Sequence, residues 1–172
     1  SAQLAGILAE RGIVVVSGLA AGVDTAAHRA AIGCGGKTIA VIGTPIDQSY
    51  PRQNRDLQQI ISADHLLVTQ FKIGSKVYPA NFPIRNRTMA LLSHATVIIE
   101  ATDDSGSLHQ AWEALRLGRP LYFAKSNLDV SGLEWPAKLM DYGAQVLDED
   151  SVEILIDSLP NSSALHDDVI AF

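Results

Sequence analysis

The sequence predicts an α/β domain built on a doubly wound, mostly parallel sheet with helices on both faces. Two observations carry the prediction. Short, nearly unbroken apolar runs rich in Val and Ile recur along the chain, as expected of strands buried on both faces. Segments with apolar residues at helical spacing separate them, and such alternation reads as βαβ units in a Rossmann-like arrangement.

The elements follow in order. Residues 2–11 are good helix formers at helical spacing. Residues 13–16 are a β-branched run ending in Ser17-Gly18. Residues 23–32 read as a helix closed by the glycines of 33–36. Residues 38–42 form a second strand, 54–63 an amphipathic helix and 66–71 a third strand. Residues 72–82 read as a loop flanked by Pro79 and Pro83. Helix returns over 84–93, with Pro83 suited to its first turn. Residues 96–100 are a fourth strand, and 107–117 a helix stopped by Gly118. A fifth strand covers 119–124. Short helices at 135–142 and 152–159 flank a last strand at 144–147. Residues 1–159 form one domain, and 160–172 read as a polar linker or tail. Folds of this class usually open with a strand, whereas this chain opens inside a helix. A fragment lacking its first βα unit is therefore expected, with a further strand beside 13–16.

The chain has 172 residues, 47% of them hydrophobic, which suits one domain with a real core. No run approaches the ~18 apolar residues of a membrane span. The single cysteine, Cys34, excludes an internal disulfide framework and a cysteine zinc site. No metal or cofactor is expected, and a reducing cytoplasm is the natural compartment. The net charge of −6 taken whole argues against nucleic acid. Its distribution does not. Of 19 acids, eight lie after Leu139, where Lys and Arg are absent; the other 11 stand against 13 bases, leaving residues 1–138 at +2.

In open parallel sheets, ligands sit beyond the carboxyl ends of the strands. After the first strand, Ser17, Gly18 and Gly22 open a tight turn into a helix, and free N–H groups there suit a phosphate. The competing reading is an ordinary strand–helix turn with Asp24 as a cap. The turn is neither GxGxxG nor a P-loop, so ATP hydrolysis is not expected. Asp24 and His28 are four apart on one helical face, a spacing read chiefly as a structural hydrogen bond. After the fourth strand, Ser105, Gly106 and Ser107 offer donors at a second helix start; Asp103 and Asp104 oppose an anion unless they point away. Between these loops, Arg52, Arg55, Lys72, Lys76, Arg85 and Arg87 face only Asp56 and Asp64, with Phe71, Tyr78 and Phe82 interleaved. Basic groups track a phosphate backbone while aromatic faces stack on bases; equally, the aromatics read as core and the charges as a solvated face. Asn86 suits a contact to backbone, base or a neighbouring loop.

Five segments together resemble the DprA/Smf family (DNA-processing protein A): SGLAAGVDTAAH at 17–28, GKTIAVIG at 36–43, YPRQN at 50–54, NFPIRNR at 81–87, and Glu100-Ala101 followed by SGSL at 105–108. They occur in order over about residues 10–126. The resemblance implies an extended Rossmann domain that binds single-stranded DNA without strong sequence preference. It implies delivery of strands to the recombinase RecA, notably in natural transformation. It also implies homodimers and no catalysis. Carried over by position, it assigns Arg52, Phe82, Arg85 and Arg87 to the DNA pocket, with the donors of the two glycine–serine loops; Lys72 and Lys76 join on charge. The sequence departs from the family in several places. The family's glycine-serine-arginine turn after its first strand is absent. Thr69-Gln70-Phe71-Lys72 stands for a Ser-Glu-Phe-Pro segment, His109-Gln110-Ala111-Trp112 stands where Thr-Ala is typical, and no winged helix is visible.

Two other readings use the same crevice. One is a nucleotide phosphoribohydrolase of the lysine-decarboxylase-like (LOG) type, whose PGGxGTxxE motif carries a catalytic glutamate; Gln110 stands in that place and has no carboxylate. The other is a sensor that binds mononucleotides.

Overall fold

A computed structural model describes residues 1–160. The predicted alternation is present throughout. Helix α1 (Ala2–Glu10) leads to β1 (Val15–Ser17), α2 (Val23–Gly33) and β2 (Thr38–Val41). A 3₁₀ turn (Arg52–Asn54) opens α3 (Arg55–Asp64), followed by β3 (Leu66–Val68), α4 (Asn81–Leu92) and β4 (Thr96–Ile98). Helix α5 (Ser107–Arg116), β5 (Leu121–Ala124), a 3₁₀ turn (Lys125–Leu128), α6 (Trp135–Asp141), β6 (Gln145–Leu147) and α7 (Val152–Asp157) complete it. Of the expected 160–172 tail, residues 161–172 lie outside the described residues.

All pairings are parallel, in two three-stranded sheets ordered β1-β2-β3 and β4-β5-β6. Each strand bonds to the next along the chain, which in a parallel sheet requires a crossover; the helices provide it. Strands β1 and β4 each take ladder partners on one side only.

The helices tie the sheets together. Leu4 of α1 packs with Tyr122, Leu147 and Leu155 of the second sheet's cluster, while Ala5 and Ala9 of the same helix pack with Val15, Ala27 and Ala31. Helix α4 lies on β1 and β2 and against α5. Phe123 is fully buried and meets Trp135 edge to face, ring centroids 5.2 Å apart, the geometry ring quadrupoles favour. Among the described residues, no helix is long and apolar enough to cross a membrane.

One boundary matters for the site. Helix α4 begins at Asn81, whereas the sequence places 81 and 82 in a loop. Pro83 sits inside the first turn, where its missing N–H costs no intrahelical bond. Phe82 and Arg85 thereby fall three apart on one helical face, and Asn86 joins them at four.

Candidate nucleic-acid interface

The pocket at the carboxyl ends of β1 and β2 has a volume of about 280 Å³ and is lined by Gly18, Ala20, Gly43, Tyr50, Phe82 and Arg85. Strand β1 delivers Gly18, β2 delivers Gly43, and α4 lays Phe82 and Arg85 across both. The glycines are required by contact. A Cβ on Gly18 would run into the Arg85 guanidinium, and one on Gly43 would stand 2.9 Å from the Phe82 ring. Only bare backbone lets α4 come down this far.

Arg85 is 7% exposed. Its Nη1 donates to the carbonyls of Gly18 and Val41, and its Nε donates to Oδ1 of Asn86 at 2.8 Å. Burial pushes its pKa down and the nearby Asp24 carboxylate pulls it back up. Arginine remains charged through shifts of this kind, so Asp24 acts as its counter-charge. Asn86 passes the link on: its Nδ2 donates to the carbonyl of Gly106 at 2.9 Å. Of the contacts the sequence allowed Asn86, this is the one to a neighbouring loop. One helix face thus couples the ends of β1 and β2 to the start of α5.

The turn after β1 is closed upon itself. Ser17 Oγ donates to Asp24 at 2.7 Å, and the Ala20 N–H donates to the other carboxylate oxygen at 3.0 Å. Nδ2 of the buried Asn54, from the YPRQN segment, reaches the Leu19 and Ala20 carbonyls at 2.8 and 3.3 Å and Thr25 Oγ1 at 2.8 Å. These bonds hold Leu19, fully buried, at a φ of 59°, a left-handed conformation that costs a non-glycine residue roughly 1–2 kcal/mol. Asp24 therefore takes the Ser17 hydroxyl, one of the donors that the sequence offers to a phosphate at Ser17, Gly18 and Gly22, and the Ala20 N–H within the same turn. Gly22 serves as the left-handed entry to α2, with a φ of 85°.

His28 is fully buried and bonds not to Asp24 but to Thr38 Oγ1, at 2.7 Å. The Thr38 hydroxyl donates to the Val15 carbonyl, so its single hydrogen is committed and the His28 proton is assigned to Nδ1. Nε2 has no partner. Burial drives the His28 pKa down to about 4, against a smaller upward pull from Asp24. Both residues of the Asp24/His28 pair are structural, each through a different partner.

The second loop is open. Ser105 Oγ accepts from the Thr102 N–H at 2.8 Å. Asp103 turns away and accepts the N–H groups of Glu134 and Trp135 at 3.1 and 3.0 Å, where it meets the start of α6. The condition on this acid is met for Asp103. Neither Ser107 Oγ nor Gln110 has a side-chain partner among the described residues.

The remaining candidates lie on the outside. Arg87 is exposed and pairs with Glu113 at 3.5 Å, which divides its charge between α5 and solvent. Arg52, Lys72 and Lys76 are exposed and make no ion pair among the described residues. The loop carrying both lysines is held to the one before α3 by Thr69 Oγ1 to the Thr44 carbonyl at 2.7 Å and Gln48 Nε2 to the Ser75 carbonyl at 3.4 Å. The sequence reading passes over Tyr50, Ala20 and Gly43 as lining residues. Tyr50 stands in a quoted motif, and Gly43 directly follows a strand, so the rule about strand ends, applied to β2, points at both.

Fold and pocket define a class: a parallel α/β domain with a small, aromatic-lined, singly cationic pocket at its strand ends. The chain belongs to the family described as DNA recombination-mediator protein A, whose model matches residues 1–158. It is similar to protein Smf of a Synechocystis strain, 40% identical over 140 residues, covering 81% of this chain and 35% of the relative. DNA processing protein DprA of Streptococcus pneumoniae is 41% identical over 148 residues, 81% of this chain and 52% of the relative. The chain thus spans about a third to a half of these relatives' length. A solved structure of DNA processing protein A from Helicobacter pylori, presented for its single-stranded DNA binding mode, superposes with a TM-score of 0.79 at 28% identity, over 92% of this chain and 73% of that one. These names refer to DNA processing and recombination, not to a catalysed reaction.

Proposed function

We propose that this chain is the DNA-binding core of a cytoplasmic recombination mediator that holds single-stranded DNA without strong sequence preference, passes it to RecA and works as a homodimer, with a role in natural transformation. The observation that carries the reading is the pocket of Tyr50, Phe82 and Arg85, together with Arg52, Lys72 and Lys76 exposed and without an ion pair among the described residues. Aromatic faces beside a basic track suit unpaired bases and phosphates together. Membership of the recombination-mediator family and the likeness to a DNA-binding relative support it. The further βα unit expected beside β1 belongs to this proposal, since β1 has one unpaired edge. Along the chain, the acids gather after Leu139 and the bases at 52–87.

The test is oligo(dT) binding by the full-length protein at two salt concentrations. Affinity falls with salt, and the Lys72→Ala/Lys76→Ala double variant flattens the slope by about 1.4, from roughly 0.7 per neutralised phosphate on a single strand. An unchanged slope removes both lysines from the interface. Tighter binding of thymidine monophosphate than of oligo(dT) supports the mononucleotide sensor instead, and adenine release from AMP supports the hydrolase.

A further inference from the structure

A second groove begins one residue along the chain from the first. Tyr50 lines the pocket described above, and its neighbour Ser49 lines a groove of about 300 Å³, at the small end of ligand sites. Helix α3 contributes Arg55, Gln58 and Ser62 to this groove, a spacing that puts all three on one helical face. Asp47, from the loop after β2, also lines it, and Ile46 and Leu67 supply apolar surface.

Gln58 suits the groove to a ligand that donates. Its side chain is 6% exposed, and Nε2 donates to the Ile46 and Gln48 carbonyls at 3.3 and 3.1 Å. Both partners are acceptors, which settles the orientation of the amide. Oε1 accepts no hydrogen bond among the described residues and is not sealed from solvent. A buried, held acceptor with nothing to accept is a place for a ligand N–H. Asp47 and Arg55 are exposed, line the same groove and form no ion pair among the described residues, so a ligand has room between them. A phosphate does not suit, because the Asp47 carboxylate and the Gln58 oxygen repel it. A cationic amine would meet Arg55. The walls call for a neutral ligand with two donors side by side on one edge and acceptors on another. Among the DNA bases guanine has this pattern: a ring N–H beside an amino group, with O6 and N7 as acceptors. In thymine the ring N–H lies between two carbonyls. In cytosine and adenine the amino group lies beside a ring acceptor, which a carboxylate repels.

We propose that the α3 groove reads one unpaired guanine: Asp47 and Oε1 of Gln58 accept from its N1–H and 2-amino group, and Arg55 donates to O6 or N7. Unpaired bases offer these edges to side chains, and arginine is the commonest partner of O6 and N7. The inference goes beyond the single-stranded DNA reading above and rests on it. It gives one preferred nucleotide to a strand otherwise held without regard to sequence.

The experiment measures the affinity of the full-length protein for oligo(dT) and for the same strand with one central deoxyguanosine or deoxyinosine. The deoxyguanosine strand binds roughly five- to 150-fold more tightly than oligo(dT), the range for one well-made base contact. Deoxyinosine, which lacks the 2-amino group, loses most of that gain. Asp47→Ala, made at an exposed side chain, abolishes the preference while oligo(dT) binding persists. Equal affinity for the deoxyguanosine strand and oligo(dT), full retention of the gain by deoxyinosine, or a preference unchanged in Asp47→Ala overturns the guanine seat and leaves the DNA reading standing. Deoxyguanosine monophosphate binding more tightly than the deoxyguanosine strand assigns the groove to a free nucleotide and overturns the strand's place in it. Failure of every strand to bind overturns the DNA reading as well.

Discussion

The turns after β1 and after β4 carry similar glycine–serine sequences into a helix, and they end in opposite states. In the first, Asp24 bends back and takes Ser17 Oγ and the Ala20 N–H, while the buried Asn54 bonds the Leu19 and Ala20 carbonyls of the loop. In the second, Asp103 leaves and meets the start of α6. A carboxylate inside a turn replaces a ligand; a carboxylate turned outward leaves the helix start accessible. The first turn is thus a rigid support that positions Gly18 under Arg85, and the second is the more accessible of the two.

The largest test of this contrast is acid. His28 sits beneath the first turn with a pKa lowered from 6.5 to about 4. The unfolded chain takes up its proton before the folded one does. Its contribution is therefore complete above pH 6.5 and declines as pH falls toward 4. The difference amounts to about 3 kcal/mol at the acid end. Urea midpoints at pH 7.5 and pH 5 will fall accordingly, and His28→Gln will flatten that fall; an equal fall in the variant removes His28 as its cause.

Next comes the lock itself. Asn54→Ala strips Leu19, Ala20 and Thr25 of a shared donor and will cost about 2–3 kcal/mol, as buried unsatisfied groups do. Ser105→Ala, which removes an exposed turn bond, will cost about 0.5–1 kcal/mol. Chemical denaturation of both reads the comparison directly, and equal losses erase it. The glycines give a matched pair of intermediate size. Gly18→Ala forces a Cβ onto Arg85 and will cost about 1–3 kcal/mol. Gly106→Ala meets nothing nearer than Asn86 Nδ2 at 3.9 Å and will stay within about 0.5 kcal/mol. Thermal unfolding of the two separates them by several degrees. The smallest effect belongs to Arg87→Ala, whose exposed pair with Glu113 is worth no more than about 1 kcal/mol. A larger loss of stability makes Arg87 structural, as Arg85 is.

The arginines of NFPIRNR show how far the residues alone are legible. Arg85 and Arg87 are two apart in one motif, and charge treats them alike. The helix turns them to different faces, so Arg85 bonds the Gly18 and Val41 carbonyls while Arg87 faces α5 and solvent. Phe82 was named from its motif and does line the pocket. Tyr50 was passed over because its role depends on a ring brought beside Phe82 from a segment 32 positions away in the chain. Asp24 and His28 have the spacing of a pair, yet Asp24 bonds back to its own turn at Ser17 and Ala20 and His28 bonds to Thr38 of β2.

Local periodicity by itself determined the strand–helix alternation and with it the parallel sheets, and five short motifs pointed to the family, because both depend on residues near one another in the chain. It also placed the excess of acid after Leu139 and the bases at 52–87. Which donors stay free was decided by the tertiary structure alone. A donor has few hydrogens to give, and the acceptors that take those of Ser17, Asn54 and Arg85 arrive from other elements. The strand ends were predicted as the site; close packing of α4 on two bare glycines turned them into a pocket.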